Sequence, residues 1–248
     1  MPLDIFVNYF FKLYFSGGIK YNGASDKSVF LKELKEMKVI AINGSPRKKW
    51  NTAQLLQQAL KGAESVGAET EFINLYDLKY RGCISCFGCK RKEAVPCKCY
   101  MKDDLTPVLE RVHKAEALLL GSPIYFGDIT GQMRCFLERL SFPAMTYDDY
   151  GKQLYNGQIN AAFFFTMNVG DEYAKTYKPV FENNTNLLKK FGGTTEYYLA
   201  TDTLQFDDYS KFQTGQFDEN AKRQRHEEQF PKDLENAFEI GKRLAGRS

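Results

Sequence analysis

The chain has 248 residues, 43% of them hydrophobic, which is enough for one generous domain with a sizeable core. Its 34 basic and 31 acidic residues leave a formal net charge of +3 and are interspersed, so the basic stripe that nucleic-acid binding needs is absent and no nucleic-acid partner is expected. No stretch reaches the roughly 20 apolar residues of a transmembrane helix.

Residues 1–37 are predicted to form an N-terminal extension, followed by a single domain over residues 38–248. The segment from Leu3 to Phe15 is apolar and aromatic, and residues 16–28 have the Gly, Ser, Asn and Lys content of a linker. The N-terminus has neither a basic n-region nor a small-residue cleavage site, so no secretory signal is expected. A cytoplasmic location is therefore predicted.

Residues 38–63 predict a strand, a loop and a helix. The run 39–42 is β-branched and apolar, a turn signal follows at 43–46, and the next segment has apolar residues on one helical face. Such an edge directs free backbone N–H groups and the positive end of a helix dipole at one point, which suits a phosphate. The side chains that add donors or charge are Ser45, Arg47, Asn51 and Thr52. The loop has neither the GxxxxGK[ST] nor the GxGxxG pattern, so a phosphate site of a third kind is predicted.

Strand and helix patterns alternate along the rest of the chain. The further predicted strands are residues 69–75, 116–121, 159–166 and 195–199. The predicted helices are residues 104–115, 131–140, about 171–191, and a last helix opened by Pro231, whereas residues 202–229 are predicted to be irregular. Strands joined by crossover helices require a parallel sheet with helices on both faces. The predicted fold class is a flavodoxin-like three-layer α/β/α fold with a five-stranded parallel sheet in the order 2-1-3-4-5.

The loop predicted after the third strand, residues 121–127, is expected to meet the phosphate loop. In this fold, ligands bind beyond the carboxyl ends of the strands, beside strands 1 and 3. Gly121 and Gly127 permit tight turns, and the residues between them offer a flat apolar surface. A planar heteroaromatic ring can lie there. Together the two loops favour a pocket for flavin mononucleotide (FMN) over the alternative that Tyr125 and Phe126 only anchor the loop.

Three motifs resemble the NAD(P)H-dependent FMN reductases of the flavodoxin superfamily: GSPR followed by Asn51-Thr52, then GSPIYFG, then the helical GQMRCFLER. The resemblance covers about residues 38–200, and the helix 231–245 is also similar. It implies that the FMN phosphate is held by Ser45, Arg47, Asn51, Thr52 and the backbone amide of Ala53. It implies that the isoalloxazine ring is lined by Pro123, Ile124, Tyr125, Phe126 and Gly127.

The chain departs from the family pattern at Lys49-Trp50, where a small residue or glycine commonly precedes the Asn-Thr pair. Trp50 either shields the phosphate or packs on the surface. A second departure follows the fourth predicted strand, where residues 166–170 read TMNVG and the family often has a more glycine-rich loop.

Five of the six cysteines lie in a cysteine-rich loop, residues 82–99. Cys83, Cys86 and Cys89 are spaced so that three thiols can converge, and Cys97 supplies a fourth, which suits a [4Fe–4S] cluster held by four thiolates. A structural zinc site, disulfides and free thiols near the flavin are the alternatives. The spacing is similar to that of the iron–sulfur flavoproteins, a branch of the same family. Cys99 is an extra thiol that leaves the fourth ligand open.

The resemblance implies an FMN-dependent oxidoreductase, in which the cofactor performs the chemistry and the protein binds, orients and tunes it. NAD(P)H or a ferredoxin-like protein is the expected electron donor, and a small quinone, a flavin or a protein is the expected acceptor. With a cluster, the protein is expected to carry electrons between protein partners. Without one, it is expected to be an NAD(P)H-dependent FMN or quinone reductase. Family analogy implies a homodimer or homotetramer, and the alternative function is a non-enzymatic FMN-binding or zinc-stabilised interaction module on the same fold.

Overall fold

A computed structural model describes residues 37–149 and 151–246. Its strands are β1 (Lys38–Asn43), β2 (Glu69–Asn74), β3 (Ala117–Tyr125), β4 (Asp128–Ile129), β5 (Ile159–Thr166) and β6 (Gly192–Ala200). Its α-helices are α1 (Asn51–Glu64), α2 (Leu105–Val112), α3 (Gly131–Ser141), α4 (Asp171–Ala174), α5 (Lys178–Asn186) and α6 (Glu219–Ala245). Apart from Met37, the predicted N-terminal extension (residues 1–37) lies outside the described residues.

Five strands form one parallel sheet in the order β2-β1-β3-β5-β6. In order of the predicted strands this is 2-1-3-4-5, so the predicted fold class is confirmed. The sixth strand, β4, was not predicted, and it pairs antiparallel with the end of β3. Among the described residues, none of the helices is both long and apolar enough to cross a membrane.

The sheet is buried on both faces, as a parallel sheet with crossover helices requires. Successive side chains of a strand point to opposite faces. In β1, Val39 and Ala41 therefore pack with the apolar residues of α1 and α6, whereas Ile40 and Ile42 pack with those of α2, α3 and α5. All four side chains are fully buried. The two apolar clusters hold the carboxyl ends of the strands, and the loops that leave them, in a fixed arrangement.

Helices α1 and α6 cross with their backbones in direct contact. A Cβ atom added at Gly62 of α1 would lie 1.9 Å from the carbonyl oxygen of Phe238, and one added at Gly241 of α6 would lie 1.8 Å from the carbonyl oxygen of Ala59. Both distances are far below van der Waals contact. The crossing therefore depends on the absence of a side chain at these two positions.

Strand β3 continues to Tyr125, so most of the loop predicted at residues 121–127 is strand. The hairpin partner β4 explains the extension, because Ile124 pairs with Ile129 and Tyr125 pairs with Asp128. The turn between them consists of Phe126 at φ 52° and Gly127 at φ 83°. Two central residues with positive φ match the right-handed twist of a two-residue hairpin.

Two predicted helices differ from the structure: one is divided in two, and the other begins earlier than predicted. The helix predicted over about 171–191 is divided into α4 and α5 by a 3-10 turn, and Pro179 stands in the first turn of α5, where its missing N–H costs no hydrogen bond. Helix α6 begins at Glu219, not at Pro231, so residues 219–229 are helical although they were predicted to be irregular. Asp218 is the N-cap residue of α6. Its side chain accepts a hydrogen bond from the Ala221 N–H at 3.1 Å, which stabilises the start of the helix.

Candidate functional site

The structure brings the two predicted loops together at the carboxyl ends of β1 and β3. The Gly44 N–H donates to the Gly121 carbonyl at 2.8 Å. The hydroxyl of Thr130, the N-cap residue of α3, donates to the Gly44 carbonyl at 2.7 Å, and the Thr130 N–H donates to the Ser122 hydroxyl at 3.0 Å. A Cβ atom at Gly44 would lie 2.9 Å from the Met133 side chain, so only glycine fits this close approach.

The loop between β1 and α1 is shaped by its own polar side chains. The buried Asn43 side chain accepts from the Ser45 N–H at 3.0 Å and donates to the Asn74 side chain at 2.9 Å. The Ser45 hydroxyl in turn accepts from the Arg47 N–H at 3.1 Å. Within the described residues, no side chain caps α1 at its N-cap residue, Trp50. The first N–H groups of α1 therefore remain available to an anion.

These loops border a cavity of about 210 Å³, which we call the flavin cavity. The predicted site residues that line it are Ser45, Arg47, Asn51, Thr52, Pro123, Ile124 and Tyr125. Three others do not line it. Ala53 is fully buried in the first turn of α1, Phe126 is fully exposed at the hairpin tip, and Gly127 faces the ring of Tyr177.

Two further walls of the flavin cavity come from segments outside the predicted site residues. One consists of the last residue of β5 and the two residues after it (Thr166, Met167 and Asn168), and the other follows β6 (Thr203, Leu204 and Gln205). The hydroxyls of Thr52 and Thr166 lie 2.8 Å apart, and the side chains of Asn51 and Trp50 donate to the Leu204 carbonyl at 2.8 and 3.0 Å. The first segment could have been predicted as part of the site, because it lies at the carboxyl end of β5 and ligands bind at the carboxyl ends of strands in this fold. The second lies in a stretch predicted only as irregular.

Lys222 of α6 joins these two walls. Its ammonium group donates to the backbone carbonyl and the side-chain oxygen of Asn168, both at 2.7 Å, and also bonds the carboxylate of Asp202. The lysine is 7% exposed. A buried ammonium group needs such partners to offset its desolvation, so the contact fixes the segments after β5 and β6 relative to each other.

A second cavity of about 550 Å³, which we call the outer cavity, adjoins the flavin cavity and shares Arg47, Trp50 and Gln205 with it. Its other lining residues are Lys48, Lys49, Phe206, Asp207, Asp208, Lys211 and Phe212. The Arg47 guanidinium carbon lies 5.1 Å from the Trp50 ring centroid and 5.7 Å from that of Phe206. Arg47 and Trp50 thus form a common wall between the two cavities.

The residues of the flavin cavity fit FMN. The uncapped N-terminus of α1, the nearly buried hydroxyls of Ser45 and Thr52, and the Arg47 guanidinium form a donor set for a phosphate dianion. Pro123, Ile124 and Tyr125 provide an apolar wall for a planar ring. Burial raises the pKa of the Tyr125 phenol, and the neighbouring Tyr76 adds to the effect while Arg47 opposes it. The phenol is therefore neutral at pH 7 and can donate a hydrogen bond.

The cysteine-rich loop is placed beside α2 and α3, and its thiols face different surroundings. Cys97 is buried, Cys83 and Cys89 are partly buried, and Cys86 is exposed. Cys86 and Cys97 border two separate cavities. In the described part of the chain, no three Cys, His, Asp or Glu side chains are grouped so as to hold a metal ion. The thiols are the ligand type that a [4Fe–4S] cluster or a zinc ion requires. In this conformation, however, they do not converge on one point.

The backbone of this loop is strained at three positions. Ser85, Phe87 and Cys97 have φ values of 53°, 55° and 61°, in the left-handed region that non-glycine residues avoid at a cost of roughly 1–2 kcal/mol each. Such strain persists only where surrounding contacts enforce it, and it concentrates at functional sites. Ser85 and Phe87 flank the candidate ligand Cys86, and Cys97 is itself a candidate ligand, which makes the loop a candidate for rearrangement on ligand binding.

A buried arginine, Arg139, anchors both ends of the cysteine-rich loop. The Arg139 side chain is 0% exposed and forms a two-pronged ion pair with Asp103, at 2.7 and 3.0 Å. It also donates to the Arg81 carbonyl and to the sulfur of Cys99, each at 3.0 Å. Burial acts to raise the pKa of Asp103, but the hydrogen bonds and charge of Arg139 outweigh it, so the pKa is lowered. Arg139 thus joins α3 to both ends of the loop.

Comparison with known proteins finds iron-sulfur flavoproteins among the relatives. One from Methanocaldococcus jannaschii is 41% identical over 103 residues, covering 42% of this chain and 51% of the relative. One from Archaeoglobus fulgidus is 38% identical over 103 residues, covering 42% of this chain and 48% of the relative. The chain spans about half the length of the curated relatives it matches.

Solved structures show the same fold. An NAD(P)H:quinone oxidoreductase from Methanothermobacter marburgensis superimposes with a TM-score of 0.59 at 16% identity, over 86% of this chain and 99% of that protein. An azoreductase from Bacillus anthracis superimposes with a TM-score of 0.55 at 14% identity, over 84% of this chain and 99% of that protein. At such low identity the likeness concerns the fold alone, and it agrees with the sheet order described above.

A family model described as NADPH-dependent FMN reductase matches residues 37–190. The matched region is more than half of the chain and contains both loops of the flavin cavity and the cysteine-rich loop. The resemblance predicted from the three sequence motifs is thereby confirmed. The chain belongs to the NADPH-dependent FMN reductase family.

Proposed function

We propose that this protein binds FMN in the flavin cavity and passes electrons from NAD(P)H to a quinone, a flavin or a protein acceptor. The observation that carries the proposal is the meeting of an uncapped helix N-terminus with an apolar wall at the carboxyl ends of β1 and β3. Membership of the family supports it. By family analogy we also propose a homodimer or homotetramer in the cytoplasm.

When bound, FMN supplies the acceptance and release of electrons, and the protein supplies binding and orientation. The N–H groups at the start of α1 and the hydroxyls of Ser45 and Thr52 would hold the phosphate. Arg47 would balance its charge in the partly enclosed cavity. Pro123, Ile124 and Tyr125 would orient the ring and exclude water from one of its faces.

We further propose that Cys83, Cys86, Cys89 and Cys97 ligate a [4Fe–4S] cluster. Two observations support this proposal: the thiolate donor set is the one such clusters use, and relatives that match about half their length to this chain are named iron-sulfur flavoproteins. The cluster would permit one-electron exchange with a ferredoxin-like partner. Zinc in the same site would instead make the loop purely structural.

Removing one phosphate donor tests the flavin proposal. Ser45→Ala is expected to weaken FMN binding about 10- to 150-fold, because a hydrogen bond to a charged group contributes about 1.5–3 kcal/mol. The dissociation constant is measured by flavin fluorescence quenching on the flavin-free protein. Riboflavin, which lacks the phosphate, should bind the variant and the natural protein equally well.

Ser65→Ala, at the opposite end of α1, is the matched control and should leave FMN binding unchanged. An equal loss of riboflavin and FMN affinity in Ser45→Ala would mean that Ser45 shapes the loop and does not contact the phosphate. A natural protein that binds no FMN at all would leave only the alternative interaction module.

The cluster proposal is tested by anaerobic purification followed by iron, sulfide and zinc analysis. The natural protein should contain iron and sulfide in equal amounts. Cys86→Ser should lose both while keeping FMN, because one missing thiolate opens the ligand set but leaves the flavin cavity intact. Cys135→Ser, which changes the one cysteine outside the loop, should keep its iron. Zinc in place of iron, or full iron content in Cys86→Ser, would refute the assignment.

A further inference from the structure

The outer cavity is larger than the flavin cavity, and the proposed function does not use it. Its volume of about 550 Å³ lies within the range of about 300–1,000 Å³ that is usual for small-molecule sites. It lies on the far side of the wall formed by Arg47 and Trp50, next to the loop that would hold the flavin phosphate. Trp50 belongs to the Lys49-Trp50 pair, one of the two places at which the chain departs from its family pattern.

Three aromatic residues line the outer cavity: Trp50, Phe206 and Phe212. Phe206 and Phe212 are stacked at 4.1 Å between centroids, with 19° between their planes. The Arg47 guanidinium lies over both the Phe206 ring and the Trp50 ring, and a hydrogen bond to the Leu204 carbonyl holds the Trp50 ring in place. Flat rings with accessible faces bind heteroaromatic bases, since every base has a face that stacks.

The charges around the rings suit a phosphorylated sugar. Lys48 is paired with Asp77, and Lys211 is paired with Asp208 at 3.0 Å. By contrast, the ammonium group of Lys49 and the carboxylate of Asp207 have no hydrogen bond or ion pair with any described residue. A free ammonium group attracts a phosphate, and a free carboxylate accepts hydrogen bonds from the hydroxyls of a ribose.

We propose that the outer cavity binds an adenylate group, the unit of adenine, ribose and phosphate that FAD shares with the nicotinamide dinucleotides. The inference rests on the proposed function for the position of the flavin phosphate. In FAD the adenylate is joined to the flavin phosphate. It would extend from the flavin cavity past Arg47 and Trp50 into the outer cavity and stack on Phe212. A nicotinamide dinucleotide is a separate molecule, and its adenylate would reach the same rings from solvent.

The test compares ligands that differ only in the adenylate. Flavin-free protein is titrated with FMN and with FAD, and the protein as purified is titrated with ADP-ribose, all by calorimetry. If the adenylate belongs to FAD, FAD binds more tightly than FMN, and Phe212→Ala weakens FAD binding about 5- to 150-fold while FMN binding is unchanged. If it belongs to the nicotinamide dinucleotide, ADP-ribose binds, and the same variant weakens that binding to the same extent.

Asp207→Asn should weaken whichever ligand Phe212→Ala weakens. Phe217→Ala, an exposed ring on the same segment that does not line the cavity, is the matched control. Equal affinity for FAD and FMN together with no binding of ADP-ribose overturns the proposal, as does a Phe212→Ala variant that binds every ligand normally. Failure of the proposed function has a different result, because neither flavin then binds, and the ADP-ribose titration still tests the outer cavity.

Discussion

Replacement of Arg139 by methionine is expected to lower the free energy of unfolding by about 3–5 kcal/mol. The arginine side chain is 0% exposed, and its removal leaves the Asp103 carboxylate without its ion-pair partner and takes one donor from the Arg81 carbonyl and the Cys99 sulfur. The loss is large because a carboxylate that is 16% exposed then keeps most of its desolvation cost without its partner. Urea unfolding followed by circular dichroism measures the change.

Arg134→Met on the same helix is the matched control. Arg134 also pairs with a carboxylate, that of Asp128 at 2.8 Å, but the two side chains are 37% and 52% exposed. An exposed pair contributes about 0–1 kcal/mol, so this variant should unfold close to the natural protein. Similar losses in both variants would show that the Arg139 ion pair does not stabilise the fold through its burial.

The pH dependence gives an independent check on Arg139. The pKa of Asp103 is lowered in the folded protein, so the stabilisation is present above the unfolded pKa of the carboxyl group. It is lost as the pH falls through the lower, folded pKa. The difference in stability between the natural protein and Arg139→Met should therefore shrink in acid. A difference that stays constant down to acid unfolding would contradict the pairing.

Gly241→Ala is expected to lower the free energy of unfolding by about 3 kcal/mol, at the upper end of the usual cost of overpacking. The added methyl group would meet the Ala59 carbonyl oxygen at 1.8 Å, and a backbone atom cannot turn aside as a side chain can. Helices α1 and α6 must then separate, and the apolar cluster between them loses contacts. Urea unfolding again measures the effect.

Gly131→Ala is the control for Gly241→Ala. A Cβ atom at Gly131 meets nothing within 4 Å, so this variant should be as stable as the natural protein or up to about 1 kcal/mol more stable. Gly62→Ala should act like Gly241→Ala. The double variant should cost less than the sum of the two, because helices that have moved apart for one methyl group accommodate the second. Full additivity would argue against a shared crossing.

Local patterns in the sequence were sufficient for the alternation of strands and helices in a parallel sheet and for the strand, turn and helix around the loop between β1 and α1. The β-branched, apolar run Val39–Ile42 and the turn signal after it indicated a buried strand, and alternation of strands with helices requires crossover connections. The donors Ser45, Asn51 and Thr52 lie within one short segment. Their meeting at the start of α1 follows from the turn and the helix themselves, so no distant part of the chain had to be placed first.

Only the tertiary structure decided the rest of the site. Leu204 accepts hydrogen bonds from Trp50 and Asn51 across more than half the chain, and Lys222 joins two loops from a stretch that its polar composition marked as irregular. The hairpin between β3 and β4 exposes Phe126 at its tip, which the sequence motif did not indicate. Polar contacts between distant segments have no sequence period, so they become visible only when packing has placed the backbone.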